Sequence, residues 1–114
     1  MAKTSLYGNG DATQIASLLA DRIESSGLSC SLVDSVQRRL GDSTLVVMVF
    51  EKYFMRASNR ASLTVVVTGR GGQVQVDAIG SGGGQGALFS FSWGAEDSFV
   101  GTVERILDEI GFRH

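Results

Sequence analysis

Between Glu51 and Arg60 the run EKYFMRASNR sets a carboxylate, a phenol and two guanidinium groups close together in the chain. In an extended hairpin Glu51, Tyr53 and Arg60 share one sheet face if the strands pair in a suitable register, with Arg56 near the tip. A pair of guanidinium groups so placed can clamp an anionic group through bidentate hydrogen bonds. The competing reading is a charged hairpin end whose solvated ion pairs stabilise little. A second candidate follows at Gly80 to Gly86, GSGGGQG, where every residue but Gln85 is Gly or Ser. Such a backbone takes positive φ freely and leaves its amides uncovered, which is how an anion nest is built. Gly82, Gly83, Gly84 and Gln85 are its centre.

The spacing argues against a nucleotide cradle. A phosphate-binding loop needs Lys and then Ser or Thr after its last Gly, whereas Ala87 and Leu88 follow Gly86. Gly82, Gly84 and Ala87 fit the looser dinucleotide pattern, but that pattern must open a helix, and ALFSFSW reads as a strand. A structural turn or a lid is the favoured reading. On that strand Phe89, Phe91 and Trp93 share a face; Trp93 could line a pocket beside the loop, although packing against a helix is the commoner use of such residues. Cys30 sits on an apolar parity where an inert buried thiol is expected, and His114 is the last residue, so the two make no nucleophile and base. No Cys and His spacing suits zinc and no acidic spacing suits calcium. No catalytic set, metal or cofactor is therefore expected.

The elements that position these groups follow from periodicity. Asp11 as N-cap with Gln14 three residues on predicts a helix start, and Ile15, Leu18, Leu19 and Ile23 continue it at helical spacing up to Gly27. From Leu28 to Leu40 the apolar residues Leu28, Cys30, Leu32, Val36 and Leu40 keep one parity, with Asp34 and Arg38 intruding; either these two lie near the open end of a sheet or the strand bulges and changes parity. A helix through Val33, Val36 and Leu40 is the alternative. Gly41 and Asp42 turn the chain into Leu45 to Phe54, apolar on both parities until Glu51, as in a strand covered on both sides or one whose second face meets another subunit. A turn at Ser58 and Asn59 leads to the strand Ala61 to Thr68, and Gly69 to Gly72 turn into Gln73 to Ile79. A last helix is expected near Ala95, with Glu96 and Asp97 against the positive end of its dipole and Phe99, Val100, Val103, Ile106, Leu107 and Ile110 on one face, closed by Gly111. Lys3 to Tyr7 is a first edge strand or simply an arm. The expected fold is a single α+β domain over 1–114: a helix, about five curved antiparallel strands, and a C-terminal helix, with both helices on one sheet face.

Composition narrows the function classes. The 114 residues carry a formal net charge of -2, a pI near 5.2 and 43% hydrophobic residues, with no proline and one cysteine. That suffices for one core and gives no overall attraction to nucleic acid or anionic membranes. Arg38, Arg39, Lys52, Arg56, Arg60 and Arg70 do cluster in the strand region, but without an RNA signature nucleic acid is disfavoured. A lone cysteine excludes an internal disulfide and points to a reducing, cytoplasmic setting. The N-terminal run shows neither a signal peptide nor a membrane span.

Two blocks, VMVFEKYFMRASNRASLTV from Val47 to Val65 and GSGGGQGALFSFSWGAEDSFV from Gly80 to Val100, resemble an uncharacterised family of small bacterial proteins, a domain of unknown function. The resemblance implies a bacterial source and supplies no activity or catalytic residue. Separately, a block of antiparallel strands between two helices is similar in order to helix-grip and TATA-binding-protein-like architectures, which fixes no function. The expected role is a non-catalytic, homodimeric module that binds a small molecule or anion. An interaction or scaffolding domain is the alternative, and an enzyme acting on an anionic substrate through Glu51, Arg56 and Arg60 is the third choice.

Overall fold

The computed structural model describes residues 2–26, 30–54, 59–82 and 89–114, with 2, 53, 54, 59, 60, 82 and 89–98 described by their backbone alone. The elements are β1 (Ala2–Asn9), α1 (Ala12–Glu24), β2 (Cys30–Leu40), β3 (Ser43–Phe54), β4 (Asn59–Arg70), β5 (Gln73–Gly82) and α2 (Phe89–Glu109). The strands form one open sheet in the order β1-β5-β4-β3-β2, antiparallel throughout, so the fold is α+β.

Local chemistry explains the element ends. The Asp11 carboxylate accepts the Gln14 backbone N–H at 3.2 Å, satisfying one of the orphan donors that every helix start leaves. The Thr13 hydroxyl also donates to Asp11, and this bond, followed by the one from Gln14, holds the Asp11 carboxyl below its ordinary range. Hairpins close over Gly41–Asp42, with Leu40 paired to Ser43, and over Gly71–Gly72, with φ of 60° and 82° and Arg70 paired to Gln73. At the end of α2, Gly111 takes a φ of 92°, where only glycine is unstrained. The Phe112 N–H then donates to the Leu107 carbonyl at 2.9 Å and the Gly111 N–H to Asp108 at 3.1 Å, a Schellman motif.

Strand parity divides the sheet into two faces. Val46, Met48 and Phe50 of β3, Ala61, Leu63, Val65 and Val67 of β4, and Val74, Val76 and Ala78 of β5 are buried beneath the helices. They meet Ile15, Ala16, Leu19 and Ile23 of α1 and Phe99, Val103, Ile106 and Leu107 of α2. Removing one such large side chain from water is worth about 1.5–3 kcal/mol, and this layer is what holds both helices to one face. The core continues to Phe112, which lies against Gly8 of β1 so closely that a Cβ there would sit 2.5 Å from the ring. Behind it Arg113 pairs with Tyr7, its N–H donating at 2.9 Å and its carbonyl accepting at 2.6 Å, and part of the outer edge of β1 is thereby closed.

Three expectations are corrected. The aromatic strand is the start of α2: Phe89, Phe91 and Trp93 lie in a helix beginning at Phe89, about two turns ahead of Ala95. Phe89 and Trp93 are four apart and Val100 and Val103 continue that row, so a helical reading fits the same residues as the period of two. As a result Glu96 and Asp97 lie beyond the first turn, which contains no acidic residue. With the aromatic segment helical, the fifth strand is β1, the edge strand expected as one reading of Lys3 to Tyr7, paired with β5. Asn59 pairs with Phe54 in β4 and is no turn residue. The bulge did form: pairing shifts between Leu32 and Asp34, and past it Val36 and Arg38 face away from the helices. Gly27 lies outside the described residues.

Candidate functional site

The sheet face opposite the helices is read directly from the register. One line across it runs Ser31, Glu51, Ser62, Ser81; the next is Asp34, Val49, Thr64, Ile79, Lys3. Then come Val36, Val47, Val66, Asp77, Ser5 and finally Arg38, Leu45, Thr68, Gln75, Tyr7. Leu45, Val47, Val49, Val66 and Ile79 are half-buried only by one another and their neighbours, because both helices pack on the other side. A β-branched side chain packs well on such a pleated surface, which is why the sequence is apolar here on the parity that the core does not use. With strands about 4.8 Å apart and alternate residues about 6.8 Å apart, these lines cover roughly 400 Å². Leu45, Val47, Val49, Val66 and Ile79 account for about 160 Å² of that area, and polar positions make up most of the rest.

Polar groups frame the strip. On one side the Asp77 carboxylate accepts the Ser5 hydroxyl at 2.5 Å and the Gln75 amide at 3.3 Å. The Ser62 and Ser81 hydroxyls approach within 3.5 Å beside Glu51. At the far end a shallow open cavity of about 500 Å³ is lined by Tyr7, Asn9, Thr68, Arg70, Gln73 and Gln75. Arg70 there is held 3.4 Å from Asp42 of the neighbouring hairpin.

The anion-clamp residues are partly brought together. Tyr53 pairs directly with Arg60, two residues beyond Glu51, which itself pairs with Ser62, so all three hold positions of the open-face parity. Gly82 ends β5 opposite Ala61, at the same end of the sheet. Arg56, Gly83, Gly84 and Gln85 lie outside the described residues. Trp93 belongs to α2, and α2 packs on the other face against β5, β4 and β1, so Trp93 does not join Glu51 on a strand surface. Sequence reasoning missed the Asp77, Ser5 and Gln75 cluster and the share of β4 and β5 in the strip. The available signal was Val65 to Val67, apolar on both parities, and Ile79 against the parity of Val74, Val76 and Ala78.

Cys30 lies beside the end of α1. Its thiol lies 3.3 Å from the Ile23 carbonyl, and burial, more than any neighbouring charge, raises its pKa. Among the described residues no group of three or more His, Cys, Asp or Glu is placed to hold a metal ion, and no helix is long and apolar enough to cross a membrane.

A family model matches residues 1–111, a span that contains every strand and helix and both of the sequence blocks singled out above. The chain belongs to DUF6054, a family of unknown function. The family is thus represented here by a five-stranded open antiparallel sheet with two helices on one face. No curated protein matches the chain.

Proposed function

We propose that the chain is a non-catalytic binding module and that the open sheet face is its binding surface. The observation that carries this reading is the half-buried strip of Leu45, Val47, Val49, Val66 and Ile79 on a face that neither helix covers. Its occupant is a flat apolar surface of a protein partner. An enclosed small-molecule pocket buries most of its ligand in a concave site, whereas this strip is spread over three adjacent strands. The polar frame of Asp77, Ser5, Gln75, Ser62 and Ser81 serves as a rim that fixes orientation. A second reading, an anion held at the Tyr53 and Arg60 end, is favoured by their direct pairing two residues from Glu51. The lone Cys30 supports a reducing, cytoplasmic setting, and the resemblance of the two sequence blocks supports a bacterial source.

The test is affinity purification from the source cells with quantitative mass spectrometry. Val47→Lys and Val66→Lys are expected to lose a specific set of co-purified proteins, while Asp108→Lys on the exposed side of α2 keeps it. Equal recovery from all three variants would remove the open face as the docking surface. For the second reading, Arg60→Ala is expected to abolish a thermal shift produced by inorganic phosphate; an unchanged shift would end it.

A further inference from the structure

The two edges of the sheet are finished differently. At β1 the chain returns after α2 and Arg113 exchanges two backbone hydrogen bonds with Tyr7. At β2 the described residues contribute no strand beyond it, since β2 pairs with β3 alone. From Val33 to Leu40 every residue of β2 is exposed, on both faces, and between this part of the strand and α1 lies a groove of about 240 Å³ lined in part by Ser17, Leu32, Ser35 and Gln37. Three of the five large hydrophobic residues exposed among the described residues are on this strand: Val33, Val36 and Leu40. A long exposed edge with apolar residues and no proline is a template for pairing with another strand.

The order of side chains along β2 says which strand fits. Asp34, Val36 and Arg38 occupy consecutive positions on the open face. Asp34 and Arg38 are about 13 Å apart along the strand, too far to pair with each other. Among the described residues Asp34 accepts from the backbone N–H of its chain neighbour Ser35 and Arg38 donates to the Gln37 carbonyl. Laid antiparallel against a second β2 and centred on Val36, the strand meets its own complement: Asp34 faces the second Arg38, Arg38 faces the second Asp34, and the two Val36 side chains meet between them. On the helix side Ser35 faces Gln37. Directly opposed residues of antiparallel strands share a face and opposite charges there attract. Past the bulge, opposite charges stand symmetrically about an apolar centre.

We infer that a second copy of this chain pairs along β2, in an antiparallel, two-fold register centred on Val36, to give a ten-stranded continuous sheet. The two-fold axis runs perpendicular to the sheet, so both pairs of helices lie on one side and both open faces on the other. The interface therefore extends the proposed docking face and does not consume it. Its failure is separable from failure of the docking reading.

The test is sedimentation of the full chain at micromolar concentration. The parent is expected to sediment as a dimer. Arg38→Asp and Asp34→Arg, each of which turns both ion pairs into like-charge contacts, are expected to weaken the dimer at least about tenfold each. An equimolar mixture of the two variants restores complementarity at every charged position and is expected to give a heterodimer, a gain that unfolding cannot produce. Val66→Lys leaves the dimer intact. A monomeric parent, single reversals that leave dimerisation unchanged, a mixture that stays monomeric, or dissociation by Val66→Lys would each overturn the proposal.

Discussion

Substituting Gly8 by Ala reports on how the β1 edge is closed, and its expected sign is opposite to that of an ordinary strand substitution. Gly in a strand interior costs stability relative to Ala, so removing it there is normally favourable by roughly 0.5–1 kcal/mol. At Gly8 the new methyl would stand 2.5–2.6 Å from three atoms of the Phe112 ring, well inside van der Waals contact. The ring has little room to retreat: Phe112 is 2% exposed and is fixed by the Schellman turn behind it. Overpacking of this kind costs about 1–3 kcal/mol, and a net loss near 2 kcal/mol corresponds to a fall of about 6–12 °C in Tm for a domain of this size. Thermal melts followed by circular dichroism give the number. A double-mutant cycle gives the cause: Phe112→Ala alone costs about 3–5 kcal/mol, but in that background Gly8→Ala becomes neutral or favourable. A Gly8→Ala protein that melts with the parent, or a penalty that persists without the ring, would refute the close packing of Phe112 on β1.

Two further predictions concern single groups. Asp11→Ala is expected to lower Tm at pH 7 while Asp11→Asn, which also caps, retains most of it. Because the Asp11 carboxyl is depressed in the folded state, its contribution is present above the unfolded value and is lost as pH falls through the folded one, so the gap between parent and Asp11→Asn should close below about pH 4 in acid melts. Cys30, whose thiol burial holds protonated, should react with iodoacetamide at pH 8 much more slowly in the native chain than in urea; equal rates would contradict its position against Ile23.

Much of the architecture was legible because it rests on local signals. The Asp11 and Gln14 cap, the Gly41–Asp42 turn and the Gly111 terminus each need particular residues at particular positions and were found where those residues stand, while the turn expected over Gly69 to Gly72 narrows to Gly71–Gly72 because Gly69 and Arg70 complete β4. The conflict of Asp34 and Arg38 with the apolar parity announced the bulge. What failed was of two kinds. Phe89, Phe91 and Trp93 satisfy a period of two over five residues, while the helical row through Phe89, Trp93, Val100 and Val103 shows only over a longer window, and continuity with the rest of α2 decides between them. β1 has little local signal, since Leu6 and Thr4 carry its burial and its pairing partner β5 lies about seventy residues away. For the site, strand parity allowed Glu51, Tyr53 and Arg60 one face on condition of a suitable register, and the pairing of Tyr53 with Arg60 supplies that register. The strip across β3, β4 and β5 depends on the registers of three strands at once, which no single stretch of sequence reveals.

The central claim, that the open sheet face is the working surface, is tested most directly by placing a photo-crosslinking amino acid at Val47, on the strip, and separately at Ser17, exposed on α1, and irradiating the source cells. The account predicts discrete adducts to a protein other than this chain from position 47 and none from position 17, where Ser17 lines the groove beside β2 and a second copy of this chain is the sole expected adduct. Such adducts from position 17 alone, or the same adducts from both, would contradict it.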